Sequence, residues 1–316
     1  MHKIILDCDP GHDDAIAILL AAGNPMIDLL AITTVAGNQT IEKVTRNALS
    51  VCAIAGIEVP VARGADRPLV EPQRVAGDIH GASGLDGPVL PAPAFVLDER
   101  HAVTLLVDTV MAHEPGEITL VATGPLTNIA LAMLTEPAIV DRVKRVVVMG
   151  GAYTRGNTTP AAEFNIAVDP EAAEAVFRGS WDVTMVGLDL THQALATTEL
   201  HERVRAIGGP VSRFVLDVWE FFGQTYRSVY GFEHPPIHDA CCVAAVIDPT
   251  VFTTARADVR VELRGQWTRG MTVVDFADVL GMHHGTGRDY RADVAVQLDW
   301  GRFADLVVDA ITRLGE

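Results

Sequence analysis

Along most of the chain, short unbroken apolar runs alternate with longer segments whose apolar residues recur every three or four positions. Short runs rich in β-branched residues predict buried strands, and the spaced segments predict amphipathic helices. The strands expected on this basis are Ile4–Leu6, Ile27–Val35, Val59–Ala62, Ile118–Val121, Val143–Met149 and Val183–Leu188. Helices are expected between them at Asp14–Ala22, Ile41–Ala55, Glu99–His113, Leu126–Leu134 and Pro170–Arg178. Gly23-Asn24-Pro25 and Gly56 supply stop signals for the first two. Strands that alternate with helices and are apolar throughout indicate βαβ units and a mostly parallel sheet with helices on both faces.

Beyond Thr191 the pattern becomes more helical, with Leu200–Ile207 and Val211–Tyr230. Cys241-Cys242 opens a further apolar helix. Strand candidates follow at Val259–Leu263, Thr272–Val274 and Asp293–Leu298, and Arg302–Leu314 reads as a closing helix. There is no internal repeat, low-complexity segment or linker, so residues 1–316 are expected to form a single α/β domain. Leu69–Pro93 is rich in Gly and Pro and too long for a plain connection, which marks it as a candidate functional flap.

Composition narrows the function. The 316 residues are 49% hydrophobic and 21% charged, as in ordinary globular proteins. Lys and Arg number 24 against 41 Asp and Glu, a formal net charge of −17. No basic cluster exists to replace phosphate counterions, so a nucleic-acid partner is not expected. The four cysteines form no C-x-x-C pair, and buried reduced thiols in a cytoplasmic protein are expected. The apolar run after Met1-His2-Lys3 is too short for a signal peptide, and no stretch of about 18 uncharged apolar residues predicts a membrane span.

The sharpest feature is Asp7-Cys8-Asp9-Pro10-Gly11-His12-Asp13-Asp14, with four carboxylates directly after the first strand. Ligands of open α/β sheets bind at the carboxyl ends of strands. Four acids there repel one another and call for a positive partner, for which a hard cation with oxygen ligands is the natural candidate. Asp7 and Asp9 should point the same way off the strand, while Asp13 and Asp14 sit at a helix start that favours negative charge. One of these acids could be a plain helix cap. Other strand ends are polar too: Val35-Ala36-Gly37-Asn38, Thr123-Gly124-Pro125-Leu126-Thr127-Asn128 and Met149-Gly150-Gly151. Several polar ends on one sheet edge read as one pocket.

On these residues the sequence resembles the inosine–uridine preferring nucleoside hydrolases. The resemblance extends to His80-Gly-x-x-Gly-Leu-Asp86, Gly156-Asn157, Glu163-Phe164-Asn165, Asp169-Pro-Glu171 and His238-Asp239, in the family's order and over nearly the whole chain. It implies the Rossmann-like nucleoside hydrolase fold with its site at the C-terminal strand ends. The implied reaction is hydrolysis of a ribonucleoside to ribose and free base. The implied metal is Ca²⁺, held by Asp9, Asp14, the Thr123 carbonyl and Asp239. Asp9 would take the proton of the attacking water and Asn38 would orient that water. Asp13 and Asn165 would hold the ribose hydroxyls, Asn157 and Glu163 the 5′-hydroxyl, with Met149 and Phe164 packed around the sugar. His238 is the implied general acid, and His80 a second active-site histidine. The family also implies a homodimer or homotetramer.

Phe222, Tyr226 and Tyr230, at i, i+4 and i+8, share one helix face. They form either a core stripe or a wall over the base, with Tyr226 or Tyr230 reaching a ring nitrogen. The stretch matches neither a purine nor a pyrimidine pattern, so base preference stays open. His12, His234, His283 and His284 receive no role. Three rivals remain. A haloacid-dehalogenase-type phosphatase would want Thr or Val where Gly11 stands, and a basic clamp. A non-catalytic riboside- or Ca²⁺-binding protein would lack Asp9, Asn38 or His238. A hydrolase of an unusual riboside keeps the chemistry and changes the leaving group.

Overall fold

The structure is a computed structural model that describes residues 1–92, 96–279, 282 and 292–315. His283 and His284 lie outside the described residues, as does Pro93 at the end of the expected flap. In chain order the elements are β1 (His2–Cys8), α1 (His12–Gly23), β2 (Ile27–Thr34), α2 (Ile41–Ala55), β3 (Val61–Arg63), α3 (Gly77–His80), α4 (Ala102–Ala112) and β4 (Ile118–Ala122). Then come α5 (Thr127–Thr135), α6 (Ile139–Arg142), β5 (Arg145–Met149), α7 (Phe164–Val168), α8 (Pro170–Arg178), β6 (Val183–Val186), α9 (Leu188–Thr191) and α10 (Thr198–Ile207). The chain continues through α11 (Gly209–Tyr230), α12 (Ala240–Ile247), β7 (Phe252–Val261), β8 (Thr272–Asp275), β9 (Ala292–Leu298) and α13 (Trp300–Leu314).

One sheet of nine strands runs through the molecule in the order β3-β2-β1-β4-β5-β6-β9-β7-β8. The pairs from β3 to β9 are parallel, and β7 pairs antiparallel with both β9 and β8. The strands feed two cores. In β1, Ile4, Leu6 and Cys8 enter the layer shared with α1, α2 and the C-terminal helices, while Ile5 enters the opposite layer shared with α4, α5 and α8. β5 divides in the same way, with Val147 and Met149 on one face and Val146 and Val148 on the other. This double burial is why the strands read as continuous apolar runs. Among the described residues no helix is long and apolar enough to cross a membrane.

Chain order reverses at β1, which has β2 on one side and β4 on the other. The crevice between the carboxyl ends of β1 and β4 is therefore the topological switch point, where such sheets bind ligands. The polar strand ends singled out in the sequence flank this crevice.

The structure shifts several expected boundaries. β6 stops at Val186, because Gly187 leads into the short helix α9. β5 starts at Arg145, since the Val143 N–H still closes α6 on Ile139. β7 begins at Phe252, well before Val259, and ends at Val261 rather than Leu263. Its first half carries exposed Thr253 and Thr254 on an antiparallel strand, so no apolar run announces it. The segment from Leu69 contains the one-turn helix α3. It is tied down by the Leu69 N–H on Asp169 (2.9 Å) and by Glu71 paired with Arg269 (2.8 Å).

Candidate active site

A cleft of about 390 Å³ opens at the switch point, a size suited to a small-molecule ligand. Its lining includes Asp13, Asn38, His80, Thr123, Met149, Asn157, Glu163, Phe164, Asn165, Phe222, Tyr226, Tyr230, His238 and Asp239. Most sequence-predicted site residues are thereby brought together. Asp9 and Asp14 lie buried beneath them.

The floor is built from two helix starts. Asp13 and Asp14 open α1, and Asp239 stands at the start of α12. Carboxylate oxygens of these three buried acids come within 4.8 Å of one another. Asp14 also caps its own helix, accepting hydrogen bonds from the N–H groups of Gly11 (3.0 Å) and Asp9 (3.2 Å). Thr123 Oγ1 and Asn38 Nδ2 donate to the same carboxylate at 2.9 and 3.2 Å. The plain capping role and membership of the cluster thus coexist in one residue.

Asp7 and Asp9 do not aim at one point. Asp7 lies on the face of β1 that carries Ile5, and its Oδ1 accepts from Thr33 Oγ1 (2.6 Å) and Asn128 Nδ2 (2.8 Å). It cross-links β1, β2 and α5 rather than lining the cleft. Asp9 follows the strand, and its Oδ2 accepts the Asn38 N–H at 2.6 Å. Its carboxylate fits only because Gly37 and Gly124 flank it: a Cβ at Gly124 would stand 2.6 Å from Asp9 Oδ1. Asp9 Oδ1 and Asp13 Oδ1 are buried with no hydrogen-bond partner among the described residues.

Burial lifts the carboxyl of Asp7 to about 7. Burial first, and the Asp14 charge next, push Asp9 and Asp13 well above the usual carboxylate range. Asp239 rises in the same way, through burial and then the charges of Asp13 and Asp14. Arg74, at the exposed rim, is the lone Lys or Arg among the described residues lining the cleft. Orphaned carboxylate oxygens, packed without a cation, are the donor set of a hard divalent ion. Among the described residues no His or Cys joins the cluster, which disfavours zinc.

The sugar-side residues are held by their own bonds. Asn165 Nδ2 donates to the carbonyls of Thr123 (2.8 Å) and Met149 (3.1 Å). Glu163 caps α7, accepting the N–H groups of Gly151, Asn165 and Ile166 at 3.0 to 3.2 Å. Burial nonetheless raises its carboxyl to about 7. Asn157 Oδ1 accepts the Phe164 N–H at 2.9 Å.

Opposite the floor stands the last third of α11. Phe222, Tyr226 and Tyr230 face the cleft in sequence, with neighbouring ring centroids 4.6 and 4.9 Å apart. The stripe read from the sequence is a wall of the cleft, and its inner end is also core. His238 has both ring nitrogens engaged: Nδ1 meets Thr191 Oγ1 at 2.7 Å and Nε2 meets the Tyr226 hydroxyl at 2.7 Å. Burial pushes the pKa of this imidazole down from its ordinary value. His80 stacks on Phe222 at 5.3 Å and contacts His12 through its Nδ1.

Sequence reasoning missed His12 and Thr191. His12 sits inside the acidic motif, and that position was its signal. Thr191 follows β6 at the same sheet edge as the other polar ends. His234 lies in a separate cleft with His201 and Trp219.

Comparison with known proteins agrees with this geometry. The family model "Inosine-uridine preferring nucleoside hydrolase" matches residues 4–305. The chain is 56% identical to the protein of that name from Crithidia fasciculata, over 99% of this chain and 98% of the relative. It is 47% identical to the pyrimidine-specific ribonucleoside hydrolase RihA of Escherichia coli, over 98% and 97% of the two chains. The solved purine-preferring ribonucleoside hydrolase from Gardnerella vaginalis superposes with a TM-score of 0.91 at 33% identity, covering 99% of each chain. With the acid-floored cleft at the switch point and matches spanning nearly its full length, the chain belongs to the inosine–uridine preferring nucleoside hydrolases, a family of N-glycosyl hydrolases.

Proposed function

We propose that this chain hydrolyses the N-glycosidic bond of common ribonucleosides in a Ca²⁺-dependent reaction, with inosine and uridine the first substrates to test. The observation that carries this reading is the pairing of an oxygen-only, cation-deficient floor with an aromatic, histidine-bearing wall in one cleft. Asp9, Asp14, Asp239 and the Thr123 carbonyl would hold the ion, and Asp13 stands within the same cluster. Bound there, Ca²⁺ would offset the buried negative charge and acidify a water in its shell.

Asp9 is the general base in this reading. Its unpartnered Oδ1 accepts the proton of the attacking water, while the Asn38 N–H holds Oδ2. Asn38 Nδ2, fixed on the Asp9 carbonyl and Asp14, keeps that loop in place and lets the residue orient the water. Asp13 Oδ1 is free to accept from a ribose hydroxyl. Asn165, locked by its amide, presents its remaining oxygen to the sugar, with Met149 and Phe164 packed beside it. Asn157 and Glu163 grip the 5′-hydroxyl. Gripping the sugar stabilises the oxocarbenium-like transition state only if the contacts strengthen as charge develops.

Proton delivery to the departing base runs through Tyr226. Because both nitrogens of His238 are taken, its acid function reaches the base by way of the Tyr226 hydroxyl: the Tyr226 proton passes to the base nitrogen as the C–N bond breaks, and the imidazolium form of His238, charged from solvent before the step, returns its Nε2 proton to the phenol oxygen and is left neutral, with Thr191 fixing the far side of the ring. His80 faces the base from beside Phe222. A cytoplasmic location and a homodimer or homotetramer complete the proposal. Four buried free thiols, Cys8, Cys52, Cys241 and Cys242, support a reducing compartment.

The test is ribose release from inosine, uridine, cytidine and adenosine with Ca²⁺ and after chelation. Release abolished by chelation is expected. No release from any of the four by folded, Ca²⁺-loaded protein would overturn the reading.

A further inference from the structure

Part of the rim of the cleft is held by very little. Arg74, Val75, Ala76, Asp78, Ile79 and His80 line the cleft, all from the segment that opens at Leu69. The far end of that stretch is well fastened. The Ala76 N–H donates to the Asn38 carbonyl at 3.0 Å. Beyond His80, the Lys43 ammonium and the Asn47 amide donate to the carbonyls of Ala82 (2.6 Å) and Ser83 (3.1 Å). The near end has fewer ties. Asp169 holds the Leu69 N–H, and from Val70 to Val75 a single hydrogen bond or ion pair exists among the described residues. It joins Glu71 to Arg269 at 2.8 Å. Apolar packing does not replace it, since Val70 and Val75 are exposed, and the Gln73 amide nitrogen is buried with no partner.

Arg269 is the fixed side of this pair. Its Nη2 also meets Glu171 Oε1 at 2.6 Å, near the start of α8, and its Nη1 donates to the Leu263 carbonyl. Two hydrogens on Nη2 serve two carboxylates, which suits a guanidinium. The Arg269 backbone N–H donates to the Gly265 carbonyl at 3.0 Å. Gly270, the next residue, has φ +80° and presses on α7, where a Cβ would stand 3.0 Å from Ala167 Cα. α7 carries Asn165, and Asp169 lies between α7 and α8. One guanidinium thus links the rim to the helix pair beside the sugar-side residues.

We propose that Arg269 is a positioning residue, which through Glu71 holds residues 70–75 in place before substrate arrives, so that binding does not have to order them. Backbone that must be ordered on binding weakens affinity. The effect belongs to binding and not to the chemical step, because α3 keeps its own ties and Arg269 touches none of the reacting groups. An interaction that acts equally on the bound substrate and the transition state moves KM and leaves kcat alone. This inference rests on the nucleoside hydrolase reading of the cleft.

The test pairs kinetics of the full-length, Ca²⁺-saturated protein with amide hydrogen exchange. A half-exposed ion pair has a small effect even within a network, so Glu71→Ala and Arg269→Ala should each raise KM about three- to fivefold, with kcat within about twofold. Inosine and uridine should respond alike. The double variant should be no worse than Arg269→Ala, because both changes remove one tie. Without substrate, peptides covering residues 70–75 should exchange faster in Glu71→Ala than in the wild type, while those covering α8 stay the same. Should Arg269→Ala fail to fold, Glu71→Ala alone decides, since it leaves Arg269 paired with Glu171. An unchanged KM in Glu71→Ala overturns the proposal, as does a fall in kcat larger than the rise in KM. Unchanged exchange at residues 70–75 overturns it too. If the wild type releases no ribose, the functional reading falls, and the exchange comparison still decides whether the pair holds the rim.

Discussion

The floor and the wall of the cleft are built on different plans. The floor gathers carboxylates from separate places: Asp9 from the end of β1, Asp13 and Asp14 from the start of α1, and Asp239 from the start of α12. All four are buried; the Asn38 N–H braces Asp9, and the N–H groups of Asp9 and Gly11 brace Asp14. The wall comes from successive turns of α11, and its exposure climbs from 2% at Phe222 through 5% at Tyr226 to 36% at Tyr230. A floor of this kind fixes one chemistry, whereas the outer wall can change with little disturbance to the fold. The relatives fit that division, since their names diverge in base preference while the scaffold superposes over almost every residue.

The largest effect should come from the floor. On the proposed mechanism Asp9→Asn removes both the proton acceptor and a charged ligand of the ion while leaving the shape intact, so ribose release should fall by a factor on the order of 10²–10⁴. Thermal stability should not fall with it, because a buried, partly unpartnered charge disappears. Loss of activity matched by loss of folding would mean that Asp9 acts as a brace and not as a base.

Next comes the inner wall. If the proposed route from His238 to the base holds, Tyr226→Phe cuts it, with an expected loss in kcat of about 10² for purine nucleosides. Adding His238→Ala should cost little more, since groups that act as one relay are not additive. Losses that multiply in the double variant would break the relay and return His238 to an independent role.

Metal removal tests the floor through stability. Asp7 titrates at about 7 in the fold against 3.8 as an ordinary side chain, and Asp9, Asp13 and Asp239 are raised as well. Between those values the metal-free fold binds more protons than the unfolded chain, so its stability falls as pH rises from about 4 to about 7. The slope is up to about 1.4 kcal/mol per pH unit for each such proton. In chelator, Tm should therefore be higher at pH 5 than at pH 7. With Ca²⁺ saturating, the ion replaces the protons and the dependence should flatten or reverse. Identical pH profiles with and without Ca²⁺ would show that the acids hold no ion.

How much of this was legible beforehand differs between the same two regions. The acidic run Asp7–Asp14 was conspicuous because charges directly after an apolar strand have few structural uses. α2 and α8 keep the bounds their periodicity predicted, each closed by a nearby Gly. The resemblance to the family supplied Asp239, His80 and the sugar-side residues, which no local pattern identifies. What stayed hidden depends on contacts distant in the chain. The meaning of His12 lies in a carbonyl 74 residues on and an imidazole 68 residues on. Thr191 matters through His238, 47 residues later. Asp7 and Asp9 looked equivalent in sequence, and only the register of β1 against β2 and α5 turns Asp7 into a brace.

The smallest effect should sit at the outer wall. Tyr230 is the most exposed aromatic of the stripe and meets Tyr226 at a tilted 4.9 Å. Truncating it removes about 1 kcal/mol of aromatic contact and no proton path. Tyr230→Ala should raise KM roughly fivefold, change kcat by less than about twofold, and shift Tm by at most about 2 °C. The ratio of inosine to uridine turnover is the sharper readout, because a purine covers more of this surface than a pyrimidine and should lose more. If Tyr230→Ala instead lowers kcat as far as Tyr226→Phe does, the outer wall belongs to the reacting machinery, and the gradient of exposure along α11 no longer separates substrate choice from catalysis.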